Sequence, residues 1–369
     1  MKIILVAGAR PNFMKIAPLM AAFSAGGRIQ PYLVHTGQHY DERMSDLFFR
    51  QLEIPKPDIN LGIGSGSHAV QTAEVMKAFE PVVLEQKPAA VLVVGDVNST
   101  IACGLVAVKL GVKLIHVEAG LRSGDRSMPE EINRLLTDVI SDMLFCTEHS
   151  GVENLAREGV AGDKVFLVGN VMIDTLLKNR SKAEASGILE DLGVSAGKYA
   201  VVTLHRPSNV DDPHTLAGLL DVLDVVQKDQ PVIFPIHPRT RSNLAKSDLG
   251  RRLTAMANIK LIDPAGYLDF LKLTANSRIV LTDSGGIQEE TTILRVPCLT
   301  LRENTERPIT AEVGSNRIVG TVPTDIIAAY REVMQGKGPQ GQTPPLWDGQ
   351  AAQRIEKIIA QRLQTTPSL

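Results

Sequence analysis

The sequence predicts an α/β protein made of two doubly wound halves, each a parallel β-sheet covered by helices. Short β-branched runs alternate with helical patterns along most of the chain, as expected for parallel strands joined by helical crossovers. Aromatic residues make up only 4% of the sequence, so Val, Leu, Ile and Ala must fill the core, as they do in buried parallel sheets. A length of 369 residues suits two domains better than one.

The first half contains a series of short apolar runs that we interpret as strands. They lie at residues 2–6, 32–36, 90–94, 113–117, 143–146 and 164–168. Amphipathic stretches between them predict helices at residues 69–84, 100–110 and 130–140. Because each run is bounded by a helical pattern or by polar residues, the series is typical of a doubly wound sheet.

A second series of strands follows a polar stretch at residues 178–197. These strands are predicted at residues 199–204, 231–234, 259–262, 278–282 and 297–301. We therefore expect a first domain at residues 1–172 and a second at 173–349. The amphipathic stretch 349–363 predicts a closing helix, and we expect residues 350–369 to complete the first domain.

Bulk composition excludes several classes of protein. The formal net charge is −2 with both signs interspersed, which does not provide the basic face of a nucleic-acid-binding protein. No run approaches the ~18 apolar residues of a membrane span, so we expect a cytoplasmic protein without a membrane partner. Cys103, Cys146 and Cys298 lie far apart in apolar surroundings, which argues against a disulfide framework and a zinc site.

The first strand ends in a segment that contains two cations. It reads Gly8-Ala-Arg-Pro-Asn-Phe-Met-Lys15 and opens the next helix. Doubly wound sheets bind ligands at the carboxyl ends of their strands, and a helix N-terminus favours an anion. Arg10 and Lys15 would therefore suit a phosphate. The alternative is a solvated turn that carries two surface charges.

Three carboxylates follow later strands of the first half. Asp96 comes directly after the strand at 90–94, and Glu118 after the strand at 113–117. Glu130 opens a helix, where capping alone would explain it; Asn98 and Ser99 are likewise plausible N-caps. Carboxylates that converge on one rim raise each other's pKa, which provides a proton donor or acceptor near neutral pH.

A glycine-rich segment at residues 62–68 suggests a dinucleotide site but does not fit one. Ser67 stands where the fingerprint requires its third glycine, and no strand with a terminal acid follows about 20 residues later. We interpret the segment as a loop before a helix that begins at His68.

The first strand of the second half ends in His205 and Arg206. Histidine is the commonest general acid or base, and Arg206 adds a cation beside it. His237 also follows a strand, but there a simple strand-end turn is the preferred interpretation.

The clearest motif of the second half is Thr282-Asp-Ser-Gly-Gly-Ile-Gln-Glu-Glu290, where an apolar strand runs directly into a helix. Ser284, Gly285 and Gly286 would let a diphosphate approach the backbone at the helix N-terminus. Glu290, one turn further on, is placed to accept hydrogen bonds from a ribose. Arg307 adds a cation after the next strand. A simple helix cap remains the alternative.

Together these motifs resemble those of the non-hydrolysing UDP-N-acetylglucosamine 2-epimerases, over nearly the whole chain. The matching runs are Gly8-Ala-Arg-Pro with Lys15, Gly95-Asp96, His116-Val-Glu-Ala-Gly-Leu-Arg122, Pro129-Glu-Glu-Ile-Asn-Arg134, His205-Arg206, residues 282–290 and Thr305-Glu-Arg-Pro308. The resemblance implies two Rossmann-like domains facing across a cleft, as in GT-B glycosyltransferases, with a C-terminal helix that returns to the first domain. It also implies a homodimer that needs neither nicotinamide nor metal.

The resemblance assigns roles to the candidate residues. The implied catalytic set is Asp96, Glu118, Glu130 and His205. The implied substrate-binding set is Arg10, Lys15, Arg206, Phe270 for the uracil, Ser284, Gly285, Gly286, Glu290 and Arg307. The implied reaction inverts C2 of UDP-N-acetylglucosamine by eliminating UDP to a 2-acetamidoglucal and adding it back.

Departures from the family pattern leave the sugar open. Many members have Thr-Arg-Pro-Glu where this chain has Ala9-Arg-Pro-Asn12. Gly-Ala-Arg-Pro followed by Phe is also similar to relatives that epimerise UDP-diacetamido-uronic acids. The competing classes are a GT-B glycosyltransferase, a hydrolysing epimerase and a non-catalytic UDP-sugar sensor. A sensor has no need of a proton-transfer set, and a transferase gives no reason for three carboxylates at one rim.

Overall fold

The computed structural model describes residues 1–37 and 42–364. The chain forms two compact units, one of Met1–Lys178 with Pro345–Leu369 and one of Asn179–Pro344. Residues 173–178 and 345–349 belong to the first unit, and the last five residues of the expected 350–369 segment lie outside the described part.

The first unit contains a parallel sheet with the strand order β3-β2-β1-β4-β5-β6-β7. Its strands are β1 (Lys2–Ala7), β2 (Gln30–His35), β3 (Ile59–Asn60), β4 (Ala90–Val94), β5 (Lys113–Val117), β6 (Met143–Cys146) and β7 (Val165–Leu167). The central strands are built from β-branched and aliphatic residues, and every residue of β4 is buried. The order reverses between β1 and β4, which is where ligands bind in doubly wound sheets.

Helices connect these strands. They are α1 (Arg10–Gly26), α2 (Glu42–Gln51), α3 (His68–Gln86), α4 (Asn98–Lys109), α5 (Pro129–Ile140), α6 (His149–Arg157) and α7 (Val171–Glu184), with a 3₁₀ turn at Gly162–Lys164. The predicted loop before His68 is confirmed, because Ser67 caps α3 by accepting a hydrogen bond from the backbone N–H of Val70. The prediction of Asn98 and Ser99 as N-caps is wrong. Val97 is the N-cap, and the Asn98 amide instead donates to Oε1 of Gln71 at 2.8 Å.

The second unit repeats the same design, with the strand order β10-β9-β8-β11-β12-β13. Its strands are β8 (Ala200–Thr203), β9 (Val232–Pro235), β10 (Ile259–Ile262), β11 (Ile279–Thr282), β12 (Cys298–Thr300) and β13 (Asn316–Ile318). Its helices are α8 (Ile188–Asp191), α9 (Pro207–Val210), α10 (Pro213–Asp229), α11 (Pro238–Ala245), α12 (Leu249–Thr254), α13 (Tyr267–Ala275), α14 (Gly285–Leu294), α15 (Ile309–Glu312) and α16 (Pro323–Met334). The reversal of strand order falls between β8 and β11.

The chain closes with helix α17 (Ala351–Gln364), which packs against α1 in the first unit. Glu356 on α17 accepts hydrogen bonds from Arg28 at 2.7 and 3.2 Å. The predicted fold class, two doubly wound α/β halves with a C-terminal helix on the first, is therefore confirmed. Strand β3 has only two residues, and the three residues of β13 include the polar pair Asn316-Arg317, so the apolar runs of the sequence do not predict either strand.

Two further features concern the whole chain. Among the described residues, no helix combines the length and apolar character required to cross a bilayer. Cys103, Cys146 and Cys298 are buried free thiols, in agreement with the prediction that they form no disulfide.

Candidate active site

A buried ion pair occupies the carboxyl edge of the first sheet, at the reversal of strand order. Lys15 on α1 pairs with Glu118, which follows β5, and both side chains are more than nine-tenths buried. A Cβ atom added to Gly95 would lie 2.8 Å from Nζ of Lys15 and 3.5 Å from Oε2 of Glu118. The pair therefore rests on the bare backbone of Gly95, and this close approach requires glycine there.

Glu118 adopts a conformation that non-glycine residues rarely take, with φ of 74°. Strain of this kind costs of the order of 1–3 kcal/mol and persists where the surrounding structure enforces it. Backbone N–H groups of Glu118 and Ala119 both donate to the carbonyl of Phe145, at 3.0 Å. The strained turn directs the Glu118 carboxylate towards Lys15.

Asp96 lies at the same edge and is held by an arginine that the sequence analysis did not assign to the site. Arg134 on α5 pairs with Asp96 and with Glu131. Glu131 also accepts two backbone N–H groups of the preceding loop, each at 3.0 Å. The buried glutamate of this helix start is therefore Glu131, while the predicted site residue Glu130 lies half-buried in the same first turn.

The segment before α1 is fixed by Asn12. Its Oδ1 accepts the backbone N–H groups of Gly8 and Ala9 at 3.0 and 2.9 Å, and its Nδ2 donates to the carbonyl of Val94 at 3.3 Å. Arg10, the first residue of α1, lies with its guanidinium 5.6 Å from the centre of the Phe48 ring. A cation near an aromatic face is attracted to it, so this contact favours one orientation of Arg10 at the helix N-terminus.

In the second unit, His205 lies beyond β8 and is oriented by a carboxylate. Its Nδ1 is 2.7 Å from Oδ1 of Asp283, which is fully buried. Asp283 also accepts the backbone N–H groups of His205 and Arg206, both at 2.9 Å. Burial alone would raise the pKa of Asp283, but the His205 ring and these N–H groups lower it. The ionised Asp283 therefore holds a proton on Nδ1 and leaves Nε2 of His205 for other contacts.

His237 lies beside His205, which the sequence interpretation did not anticipate. Its Nδ1 accepts the backbone N–H of Arg239 at 3.2 Å, so it caps α11 as a strand-end turn would. In addition, its ring centre lies 5.7 Å from that of His205. Strands β8 and β9 are neighbours in the sheet, and their carboxyl ends bring the two rings together.

The N-terminus of α14 lies beside Arg307 in this unit. Ser284 is the N-cap, and within the described part of the chain its side chain makes no capping hydrogen bond. A Cβ atom added to Gly285 would lie 2.5 Å from Nη1 of Arg307. Gly285 and Gly286 form the first turn, so the backbone N–H groups of a helix start lie beside a guanidinium. Both kinds of group can donate hydrogen bonds to an anion.

Buried carboxylates hold the arginines of this unit in place. Glu306 accepts hydrogen bonds from Arg302 at 2.8 and 2.9 Å and lies 3.4 Å from Arg206. Arg307 in turn donates from Nε to Glu289 at 2.6 Å. Burial would raise the pKa of Glu306, but the arginines lower it far below its ordinary value. The network keeps the guanidinium groups ordered without neutralising all of their positive charge.

Glu290 lies on α14 below the helix start and is almost completely buried. Burial, together with the neighbouring Glu289, raises its pKa to about 8, although the Tyr267 hydroxyl lowers it. Phe270 follows Tyr267 by one turn on α13 and packs partly buried against the adjoining core. The Glu290 carboxyl group and the Phe270 ring thus lie on two contacting helices. This placement is compatible with the predicted binding of a ribose by Glu290 and of a base by Phe270.

Replacing Glu290 by glutamine is expected to change the pH dependence of stability. The pKa of Glu290 rises from 4.5 to about 8 on folding. The neutral carboxyl group therefore contributes fully to the free energy of unfolding below pH 4.5, and this contribution is lost as the pH rises towards 8. Glu290→Gln should be more stable than wild type at pH 8, by at most about 5 kcal/mol. Urea denaturation at several pH values measures the difference.

The matched control for this variant is Glu312→Gln, which changes an exposed glutamate of the same unit. It should leave the pH dependence of the unfolding free energy as in wild type. A difference between wild type and Glu290→Gln that is constant from pH 4 to 9 would show that Glu290 does not titrate in this range.

Together the two sheets and their edges define a class of protein, an α/β enzyme of two Rossmann-like units. One unit has a glycine helix start beside an arginine, and the other has carboxylates that are ion-paired with Lys15 and Arg134. A model of the UDP-N-acetylglucosamine 2-epimerase family matches residues 21–360. The chain belongs to this family.

Two relatives, one of them with a solved structure, show how close the similarity is. The UDP-N-acetylglucosamine 2-epimerase of Methanocaldococcus jannaschii is 43% identical over 364 residues, or 97% of this chain and 99% of that protein. Its crystal structure in complex with UDP-GlcNAc and UDP gives a TM-score of 0.92 at 42% identity, covering 98% of this chain and 100% of that one. The UDP-2,3-diacetamido-2,3-dideoxy-D-glucuronate 2-epimerase of Pseudomonas aeruginosa is 41% identical over 364 residues, 98% of this chain and 99% of that protein.

Proposed function

We propose that this chain interconverts UDP-N-acetylglucosamine and UDP-N-acetylmannosamine by inverting C2 of the sugar. The observation that supports the proposal most strongly is the combination, in a member of this family, of the α14 helix start beside Arg307 with the buried Lys15–Glu118 pair. The first is suited to a nucleotide diphosphate, and the second provides a carboxylate and a cation for proton transfer. The relative from M. jannaschii carries this activity in its name.

The reaction is proposed to pass through elimination. The proton on C2 is poorly acidic, because no carbonyl group adjoins that carbon within the ring. A carboxylate removes this proton while the bond between C1 and the UDP oxygen breaks, which yields a 2-acetamidoglucal and UDP. A proton then returns to the opposite face of C2, and UDP adds back to C1. Asp96, Glu118, Glu130 and His205 are the proposed proton carriers.

The second unit is proposed to hold UDP during the reaction. Negative charge develops on the diphosphate as it leaves C1, and groups already oriented towards such charge stabilise the transition state. Backbone N–H groups at Gly285 and Gly286 and the guanidinium of Arg307 would serve this purpose. Glu290 would bind the ribose and Phe270 the uracil. Arg10, Lys15 and Arg206 would contact the phosphates and sugar.

A UDP-diacetamido-uronic acid is a second candidate substrate, because the P. aeruginosa relative that acts on one is nearly as similar as the M. jannaschii enzyme. Incubating the protein with each UDP-sugar in turn, and separating C2 epimers by anion-exchange chromatography, tests the choice. Turnover of UDP-N-acetylglucosamine at the higher kcat/KM supports the primary proposal. Turnover of the uronic acid alone would replace it, and release of free sugar would indicate a hydrolysing enzyme.

We further propose that the protein is a homodimer, and the surface of α5 supports this. The helix buries Glu131, Arg134 and Asp138, whereas its apolar residues Leu136 and Val139 are 51% and 69% exposed. A helix that turns its charges inward and its apolar residues outward presents a surface that a second copy can cover. Helix α5 packs against α4, which in turn packs against α3, and α3 also exposes the apolar residues Val70 and Leu84.

Replacing Leu136 by arginine is expected to separate the proposed dimer. The charge would stand in the centre of the apolar face of α5, where its burial in an interface is unfavourable. Light scattering coupled to gel filtration should give twice the chain mass for wild type and one chain mass for the variant. Val322→Arg, a similar change at an exposed residue of the second unit, should remain dimeric. A wild-type protein that is monomeric at all concentrations would contradict the proposal.

A cytoplasmic location completes the proposal. The three buried free thiols suit a reducing compartment.

A further inference from the structure

His116 is a buried residue to which the proposed reaction assigns no role. It lies in β5, two residues before Glu118, and is fully buried. Its Nδ1 lies 2.7 Å from Oδ1 of Asp138 on α5, and its Nε2 lies 2.8 Å from the carbonyl oxygen of Gly95. A carbonyl oxygen and an ionised carboxylate can each accept a hydrogen bond but cannot donate one. Both ring nitrogens of His116 therefore donate. The ring thus connects the end of β4 to α5.

The acceptor on Gly95 belongs to the peptide group that joins Gly95 to Asp96. The backbone N–H of Gly95 donates to the carbonyl of Val117 at 3.1 Å, and Gly95 has φ of 66°. The same residue lies directly beneath Lys15 and Glu118. A hydrogen bond that orients this peptide group therefore also positions the backbone nitrogen of Asp96. It positions the Gly95 backbone that contacts Lys15 and Glu118 as well.

The other side of the ring is anchored by a charged network. Oδ2 of Asp138 accepts the backbone N–H of Gly120 at 3.0 Å and lies 2.7 Å from Nη1 of Arg122. Arg122 in turn donates twice to Glu158, at 2.7 and 2.8 Å. Burial would raise the pKa of Asp138, but His116 and Arg122 lower it, so Asp138 is an ionised and immobile anchor for the ring.

We propose that His116 is a positioning residue for proton transfer at C2. Its hydrogen bond from Nε2 to Gly95 holds the Gly95–Asp96 peptide, and through it the Asp96 carboxylate and the support beneath Lys15 and Glu118. This inference rests on the proposed function. The competing explanation is that His116 only stabilises the fold through its ion pair with Asp138, and the two explanations differ in which ring nitrogen matters for catalysis.

Two substitutions separate the nitrogens. The side-chain amide of glutamine places its NH₂ near the position of Nε2, whereas that of asparagine places it near Nδ1. His116→Gln therefore keeps a donor for Gly95, and His116→Asn keeps only the contact towards Asp138. Each variant loses one of the two hydrogen bonds of the buried ring, so we expect both to lower the thermal midpoint. Misplacing a catalytic group by about 1 Å can cost on the order of 10²-fold in rate.

The measurement is kcat and KM for epimerisation, with deuterium incorporation at C2 and UDP affinity determined on the same samples. We expect kcat of His116→Asn to fall about 100-fold, and that of His116→Gln to stay within about tenfold of wild type. KM and UDP affinity should change little in either variant. His149→Asn and His149→Gln, at an exposed histidine, serve as matched controls and should retain wild-type kcat.

Equal losses of kcat in His116→Asn and His116→Gln would overturn the positioning role, as would full activity in both. If neither variant folds, Asp138→Asn answers the same question, because its amide can donate to Nδ1 while Nε2 still donates to Gly95. A folded Asp138→Asn protein should keep kcat within about tenfold of wild type, and loss of C2 exchange would contradict the inference. A wild-type protein without epimerase activity would instead contradict the proposed function.

Discussion

Replacing Glu118 by glutamine is expected to lower kcat by a factor on the order of 10²–10⁴, which is the usual contribution of a general acid or base. Glutamine has nearly the same size and shape as glutamate, but its amide cannot accept or release a proton as a general acid or base at neutral pH. The change also removes the charge that pairs with Lys15 in a site where both groups are buried. Asp96→Asn and His205→Ala should give losses of the same order.

Affinity for UDP distinguishes this loss from general misfolding. The nucleotide is proposed to bind mainly through Gly285, Gly286, Arg307, Glu290 and Phe270 of the second unit, so the Kd of Glu118→Gln for UDP, measured by calorimetry, should stay within about tenfold of the wild-type value. Glu80→Gln, at an exposed position on α3, is the matched control and should keep full turnover. A Glu118→Gln enzyme with near-normal kcat would remove Glu118 from the mechanism.

The second large effect is expected from Gly285→Ala. The added methyl group would lie 2.5 Å from Nη1 of Arg307, and Arg307 cannot easily move because Glu289 and Glu306 hold it. Overpacking of this kind costs about 1–3 kcal/mol. Because Arg307 and the first turn of α14 are proposed to bind the diphosphate, the Kd for UDP should rise about 10- to 100-fold.

Gly64→Ala is the matched control for this prediction. It lies in the glycine-rich segment that failed the dinucleotide fingerprint, and a Cβ atom there would meet no other atom within 4 Å. The variant should bind UDP as wild type does and turn over normally. An unchanged UDP affinity in Gly285→Ala would show that the diphosphate does not bind at the start of α14.

Strand ends were the informative part of the sequence. Lys15, Glu118, His205 and Ser284 all follow apolar strands, and because parallel strands end at one edge of a sheet, their placement there could be predicted. The residues that pair with these groups could not be predicted in this way. Arg134 is paired with Asp96 through contacts between residues 38 positions apart, and no local pattern indicates such a contact.

The two glutamates of the α5 start show the same limit. Glu130 and Glu131 are adjacent and chemically identical, so the sequence alone could not show that Glu131 is the one buried against Arg134. The pairing depends on which face of α5 meets the sheet. An inward charged face on this helix was also unexpected, because ordinary amphipathic helices bury their apolar side.

Asp283 and His237 were within reach of the sequence analysis but were not assigned to the site. Asp283 directly follows β11 in the motif at residues 282–290, and its fully buried carboxylate pairs with His205. His237 follows β9 in the same way that His205 follows β8. Neighbouring strands place the two rings side by side, but the strand order required for this inference emerges only from the fold.

Epimerisation of C2 of UDP-N-acetylglucosamine, through loss and return of the C2 proton, is the central claim for this chain. The most direct test is to incubate the purified protein with that sugar nucleotide in deuterated water, without added metal or nicotinamide, and to record proton NMR spectra. We expect UDP-N-acetylmannosamine with deuterium at C2, and loss of the C2 proton signal from the remaining substrate. Bound UDP-sugar that neither exchanges nor epimerises at C2 would contradict the claim.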